Sequence, residues 1–182
     1  IYFILCSAHH ILLFICNKKL FLKRIDNKET NVFQRNIIYL GGIYVFILVI
    51  ISAISYKNNF LILGLYKYII AFIFITLASY IYINVLKVNH FLSATINNKV
   101  EQNIIQEGAY SIIRHPMYIA TSLYILGFCI MLGSLLTILM LVFLIPLLVL
   151  RIINEEKILL QNNKEYENYM KKVKYRLVPF IW

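Results

Sequence analysis

Two short polar elements flank the longest apolar run of this chain. Arg114-His115-Pro116-Met117-Tyr118 stands before the run, and Arg151 and the pair Glu155-Glu156 follow it. An arginine fork is suited to holding a carboxylate through two hydrogen bonds. Glu156 or His115 could instead remove a proton from an amine. If the two elements meet, these residue types fit either the binding of an ionised acid or general-base chemistry.

The apolar run between these elements, residues 117–150, is 34 residues long and carries no charge. One membrane span takes about 17–25 residues, so the run is too long for one span and just long enough for two short ones. Gly133-Ser134, two adjacent poor helix formers, mark a plausible point of reversal. The pattern therefore predicts a helical hairpin with arms at residues 117–132 and 134–150.

A hairpin brings its two ends together. Arg114 and His115 are therefore predicted to lie beside Arg151, Glu155 and Glu156 at one membrane surface. Arg151 and Glu155 are four residues apart and so share one face of a helix.

The composition of the whole chain is that of a membrane protein. Of its 182 residues 61% are hydrophobic and 14% charged, whereas soluble domains have about 45–50% apolar and about 25% charged residues. Residues 37–56 and 69–86 form further uncharged runs, and residues 1–16 are interpreted as a first span, truncated if the start is missing, since the chain begins with Ile. We predict an all-α, multi-pass transmembrane helical bundle of about five spans.

The charges are distributed to one side. If the spans alternate, residues 17–36, 87–116 and 151–182 share a side and hold 16 of the 18 basic residues and all eight acidic ones, leaving Lys57 and Lys67 opposite. Basic loops stay in the cytoplasm, so the C-terminus is predicted to be cytosolic. The same distribution argues against nucleic-acid binding despite a net charge of +10. The three cysteines fall in apolar segments without metal-like spacing, and no metal is expected.

The chain divides into two predicted parts. Residues 1–88 form the N-terminal transmembrane helices, and residues 89–182 form a core of a cytosolic loop, the hairpin 117–150 and a C-terminal tail. The tail is predicted to be an amphipathic helix. Its apolar residues recur at helical spacing: Tyr166, Met170, Val173 and Leu177.

Four motifs follow one another in residues 89–182. They are Gly108-Ala109-Tyr110, Arg114-His115-Pro116-Met117-Tyr118, Arg151 with Glu155-Glu156, and Tyr169 followed by Val173-Lys174-Tyr175-Arg176-Leu177-Val178-Pro179. In order, spacing and placement around a hairpin, this set resembles the membrane-embedded isoprenylcysteine carboxyl methyltransferase (ICMT) family, which is related to the phospholipid methyltransferases. The resemblance covers about half of the chain and marks residues 89–182 as the methyltransferase core.

The resemblance implies S-adenosyl-L-methionine as cofactor, held between loop and tail and reached from the cytosol. A carboxylate such as Glu155 suits its amino group, and His115 or backbone N–H groups suit its carboxylate. Arg151 matches the family's substrate-side arginine and is predicted to be catalytic together with Glu156. The positions that match cofactor contacts are Gln102, Asn103, Ile104, Ile105, Tyr110, His115, Pro116, Met117, Tyr118 and Glu155.

The predicted reaction is carboxyl methylation of a prenylated or lipid-like acceptor that enters from the bilayer. The protein would lie in the inner (plasma) membrane of a prokaryote or the endoplasmic reticulum membrane of a eukaryote. Phospholipid or amine N-methylation is the nearest alternative. A non-catalytic membrane scaffold and a membrane reductase that uses a nicotinamide cofactor are two others.

Overall fold

The computed structural model describes residues 31–89 and 104–182, so the predicted first span at residues 1–16 lies outside the described residues. The described part is helical. Its helices are α1 (Val32–Lys57), α2 (Lys67–Val88), α3 (Pro116–Leu132), α4 (Leu135–Met140), α5 (Leu144–Asn162) and α6 (Lys164–Lys172). The predicted all-α fold is confirmed.

Four apolar passes run through the described part. Helices α1 and α2 and the continuous stretch Leu135–Asn162 are long and apolar enough to cross a membrane, and α3 is a shorter apolar helix. Large apolar side chains point outward along them, as Phe46 and Phe72 do at 66% and 65% exposure. Such outward faces suit lipid rather than water, and the protein is a multi-pass membrane protein.

Successive passes are antiparallel. We call the end that holds Asn31, Asn89 and His115 the polar end, and the end that holds Lys57 and Gly133 the opposite end. Helix α1 starts at the polar end and α2 returns to it; α3 leaves it again, and the stretch Leu135–Asn162 returns. Both arms of the predicted hairpin therefore have their outer ends at the polar end.

Helices α2 and α3 form the most extensive helix pair among the described elements. Small residues permit their close approach. A Cβ added to Gly127 would lie 2.9 Å from Ile75 Cγ1 and 3.2 Å from the Ala71 carbonyl oxygen. Small interface residues let helix backbones approach in lipid, where dispersion contacts replace the hydrophobic effect as the source of association.

The hairpin reverses where the sequence predicts. Gly133 ends α3 in the left-handed region at φ 83°, and Ser134 caps α4 by accepting from the Thr137 N–H. The α1–α2 connector pairs with this turn, since Leu63 N–H donates to the Gly133 carbonyl at 2.8 Å. The Gly133-Ser134 reversal is confirmed.

The returning arm is longer than predicted. Helix α4 passes through a 3₁₀ turn, Leu141–Phe143, into α5, which ends at Asn162 rather than near residue 150. Pro146 explains the turn, because it has no N–H for the carbonyl one turn earlier and its ring crowds that carbonyl. Beyond residue 150 the sequence becomes polar without a helix breaker, so the helix continues and carries Arg151 and Glu156.

The tail is helical over a shorter stretch than its apolar spacing suggests. Helix α6 ends at Lys172, and Val173 has extended backbone angles. The prediction of a helical stripe that reaches Leu177 is wrong at its end. The backbone of Tyr175 and Arg176 instead bonds to that of Arg114 and His115, which offers partners that another helical turn would have forgone.

Candidate functional site

The site forms where the loop before α3 meets the closing segment, residues 173–182. Ile113 and Tyr175 form a parallel bridge, Arg114 N–H donates to the Tyr175 carbonyl at 2.9 Å, and His115 N–H donates to the Arg176 carbonyl at 3.0 Å. His115 is the N-cap residue of α3 and Pro116 occupies its first turn. There the missing N–H of proline leaves no hydrogen bond unmade.

Glu156 is the centre of a buried ionic cluster. Its Oε1 accepts from Arg114 Nε at 2.7 Å and lies 3.2 Å from His115 Nε2, and its Oε2 accepts from Arg176 Nε at 2.8 Å. Arg114 Nη1 also donates to the carbonyls of Val173 and Lys174. Only 3% of Glu156 is exposed. One carboxylate thus joins the loop, α5 and the closing segment.

Tyr118 links a second pair of charges on the adjacent face of α5. Its hydroxyl donates to Glu155 Oε2 at 2.6 Å and accepts from Arg151 Nε at 2.6 Å. The Arg151 guanidinium also lies over the Tyr118 ring, with 5.4 Å from Cζ to the ring centre. Gln34 of α1 donates to the Arg151 carbonyl at 3.0 Å. The pair is therefore held by three helices.

Helix α6 covers the loop. Tyr166, Tyr169 and Val173 form a buried apolar cluster against which Ile104 packs. The Tyr169 hydroxyl donates to the Tyr110 carbonyl at 2.8 Å. Burial raises the pKa of Tyr169 well above its usual value, so the hydroxyl stays protonated and remains a donor.

The predicted meeting of the hairpin ends is confirmed. Arg114 and His115 both contact Glu156, and Tyr118 joins Arg151 to Glu155.

The other predicted cofactor positions are placed as follows. Ile104, Ile105, Tyr110 and Met117 are half-buried, Pro116 is fully buried, and Gln102 and Asn103 lie outside the described residues. Met117 packs on Tyr82 and Leu86 of α2. No group of three or more His, Cys, Asp or Glu side chains within residues 31–89 and 104–182 could hold a metal ion.

Three contributors to the site were not among the predicted site residues. Arg176 binds Glu156, and Tyr169 bonds to the loop; both stand in the closing motif, whose recurrence beside the Arg-His-Pro motif could have indicated a contact. Gln34 carries no such signal, because its role comes from the packing of α1 against α5.

The fold and the site together define a helical membrane protein with a polar, ion-paired site at one end of its bundle. A family model described as phospholipid methyltransferase (PEMT) matches residues 61–165, more than half of the chain. The chain belongs to this family and is a membrane methyltransferase. No curated protein and no solved structure matches it.

Proposed function

We propose that this membrane methyltransferase uses S-adenosyl-L-methionine to methylate the carboxylate of a lipidated or lipid-like acceptor, as protein-S-isoprenylcysteine O-methyltransferases do. One observation carries the proposal. Arg151 and Glu155 are held side by side on Tyr118, whereas Glu156 already accepts from cations on both of its oxygens. The site thus offers an arginine for an acid and no carboxylate free to act as a base at Glu156.

The residues fit the proposed cofactor in their donor and acceptor types. When bound, S-adenosyl-L-methionine supplies an electrophilic methyl group. Glu155 uses one carboxylate oxygen for Tyr118, which leaves the other to accept from an ammonium group. Tyr110 and Tyr118 offer flat apolar faces with polar hydroxyls. Because His115 is turned toward Glu156, we assign it the task of fixing the loop.

Arg151 is the proposed acceptor residue. A C-terminal carboxyl has a pKa of about 3.5 and is ionised at neutral pH, so its methylation needs no base. The task of the protein is then to align the carboxylate with the methyl group. Two buried polar atoms next to Arg151, Gln34 Oε1 and Asn154 Nδ2, have no hydrogen-bond partner in the described part of the chain. They favour a polar ligand group at this position.

N-methylation of a phospholipid is the second candidate, because the matching family model is that of the phospholipid methyltransferases. An amine acceptor must lose a proton, for which Glu156 or His115 is the predicted base. The two candidates differ in the bond formed. A methyl ester is released by alkali and an N-methyl group is not, so alkaline treatment of the labelled product distinguishes them.

Binding of S-adenosyl-L-methionine to the full chain in detergent, measured by calorimetry, tests the cofactor. Glu155→Gln should weaken binding about tenfold, since hydrogen bonds to charged groups contribute about 1.5–3 kcal/mol. Glu165→Gln, an exposed change on α6, is the matched control. Arg151→Ala should retain cofactor binding and lose acceptor turnover. A chain that binds no S-adenosyl-L-methionine would instead fit the scaffold or the reductase.

The proposed orientation places the polar end and the C-terminus in the cytosol, since the basic residues collect there. The membrane would be the inner membrane of a prokaryote or the endoplasmic reticulum membrane of a eukaryote. The acceptor would reach Arg151 sideways from the bilayer.

A further inference from the structure

An open groove of about 370 Å³ lies between α5 and the closing segment. Ile153, Lys157 and Leu160 line it on the α5 side, and Met170 and Arg176 line it on the other. Glu156 forms its floor.

This groove is separate from the proposed methyl-transfer site. At about 100° per residue, Ile153 and Lys157 fall on the opposite face of α5 from Arg151 and Glu155. The proposed acceptor and cofactor residues contact Tyr118 of α3 on the far face. A ligand in the groove would therefore have a different function from the acceptor.

The groove attracts anions. Its one carboxylate, Glu156, is already neutralised by Arg114 and Arg176. Arg176 uses only Nε for that pair, so its two terminal nitrogens still carry donors. Lys157 is exposed and forms no ion pair within the described residues. Two cations with unused donors thus stand on opposite walls.

The groove also has an apolar part on the side of the bilayer. Ile153 and Leu160 are 47% and 41% exposed, and they continue the face of α5 just beyond its apolar span. The neighbouring closing segment exposes Phe180 and Ile181 at 87% and 79%. A soluble anion would not need these surfaces, whereas an anionic amphiphile uses both the cations and the apolar wall.

We propose that this groove binds an anionic phospholipid, with its phosphate on Lys157 and Arg176 and one acyl chain along Ile153 and Leu160. Because Arg176 also holds Glu156, the bound lipid would fix the closing segment against the loop. The proposal goes beyond the proposed function and does not depend on methyl transfer.

Trp182 provides a direct probe. It is the only tryptophan in the chain, and Arg176 Cζ lies 5.1 Å from its ring centre. The full chain is placed in phosphatidylcholine vesicles that contain a small fraction of phosphatidylglycerol with brominated acyl chains, which quench nearby tryptophan. We expect saturable quenching by brominated phosphatidylglycerol and much weaker quenching by brominated phosphatidylcholine at the same fraction. Equal quenching by the two lipids would overturn the proposal.

Lys157→Gln should weaken the apparent affinity for brominated phosphatidylglycerol about fivefold, the effect of one lysine at an anionic lipid surface. Lys164→Gln removes the same charge from α6 outside the groove and should leave the affinity unchanged. Equal effects of the two substitutions would reduce the result to general surface charge and refute the site. Reversal of quenching by inorganic phosphate would also refute it, because the groove would then recognise a free anion.

Discussion

At the residue scale, the site depends on how two neighbouring carboxylates are used. Glu155 and Glu156 are adjacent in sequence and point to different partners, since successive residues on a helix are about 100° apart. Glu156 joins three segments of the chain in a buried cluster, and Glu155 faces Tyr118. The sequence predicts that both carboxylates lie near the Arg-His-Pro motif, but it does not say which one is enclosed by cations.

Glu156→Gln should destabilise the protein by about 3 kcal/mol, because removing one partner of a buried ion pair leaves the other charge uncompensated. Thermal unfolding in detergent measures the effect. Glu167→Gln is the matched control, since Glu167 forms an exposed i,i+4 pair with Lys171 and such pairs contribute little. If the two variants unfold alike, Glu156 is not the ionic centre of the site.

Tyr169 should make the protein sensitive to alkali. Burial raises the pKa of its hydroxyl in the folded state, so its contribution to stability is complete below the unfolded pKa of about 10 and is lost as pH rises further. Tyr169→Phe should cost about 1 kcal/mol at neutral pH. Its melting temperature should also fall less steeply than that of the wild type above about pH 10. Parallel pH profiles would contradict this role.

At the element scale, the hairpin depends on how α3 ends. Gly133 adopts φ 83°, and a Cβ there would collide with the Lys67 side chain. Lys67 is 4% exposed at the C-terminal end of α3, where a cation interacts favourably with the helix dipole. The sequence predicts a reversal at Gly133-Ser134 without indicating that a lysine from α2 occupies the space beside it.

Gly133→Ala should destabilise the protein by at least about 1–2 kcal/mol, the cost of a left-handed conformation for a residue with a side chain. Gly41→Ala in α1 is the control, because a Cβ there meets nothing within 4 Å and alanine favours a helix. Thermal unfolding in detergent compares them. A Gly133→Ala variant as stable as Gly41→Ala would mean that this turn does not need its left-handed glycine.

At the scale of the whole molecule, the antiparallel passes collect the polar residues of the described part at one end. The backbone contacts at both ends agree: Gln34 meets Arg151 at the polar end, and Leu61 meets Leu135 at the opposite end. This arrangement fixes which residues share a membrane side, and the positive-inside rule then assigns that side to the cytosol.

Cysteine labelling from one side of sealed vesicles tests this arrangement. In a chain whose native cysteines are replaced by serine, Lys164→Cys and Glu107→Cys should react with an impermeant maleimide from the same side, and Asn58→Cys from the other. All three positions are exposed. Labelling of Asn58→Cys and Lys164→Cys from the same side would contradict the four antiparallel passes.

The sequence by itself determined the class of fold and the location of the site along the chain. Uncharged runs of span length have to be helical in lipid, because every backbone polar group must be satisfied within the segment. Two such runs joined at Gly133-Ser134 necessarily return Arg151 and Glu155 to the end that holds His115. These predictions depend only on local periodicity, length and charge.

Only the tertiary structure decided how the polar residues are shared. The closing segment gives up helical bonds beyond Lys172 for bonds to the loop at Arg114 and His115, and Gln34 reaches Arg151 across 117 residues of sequence. Such partners are brought together by packing of distant segments, where burial makes an unpaired charge costly and so selects the pairing. No periodicity within a single segment encodes that choice.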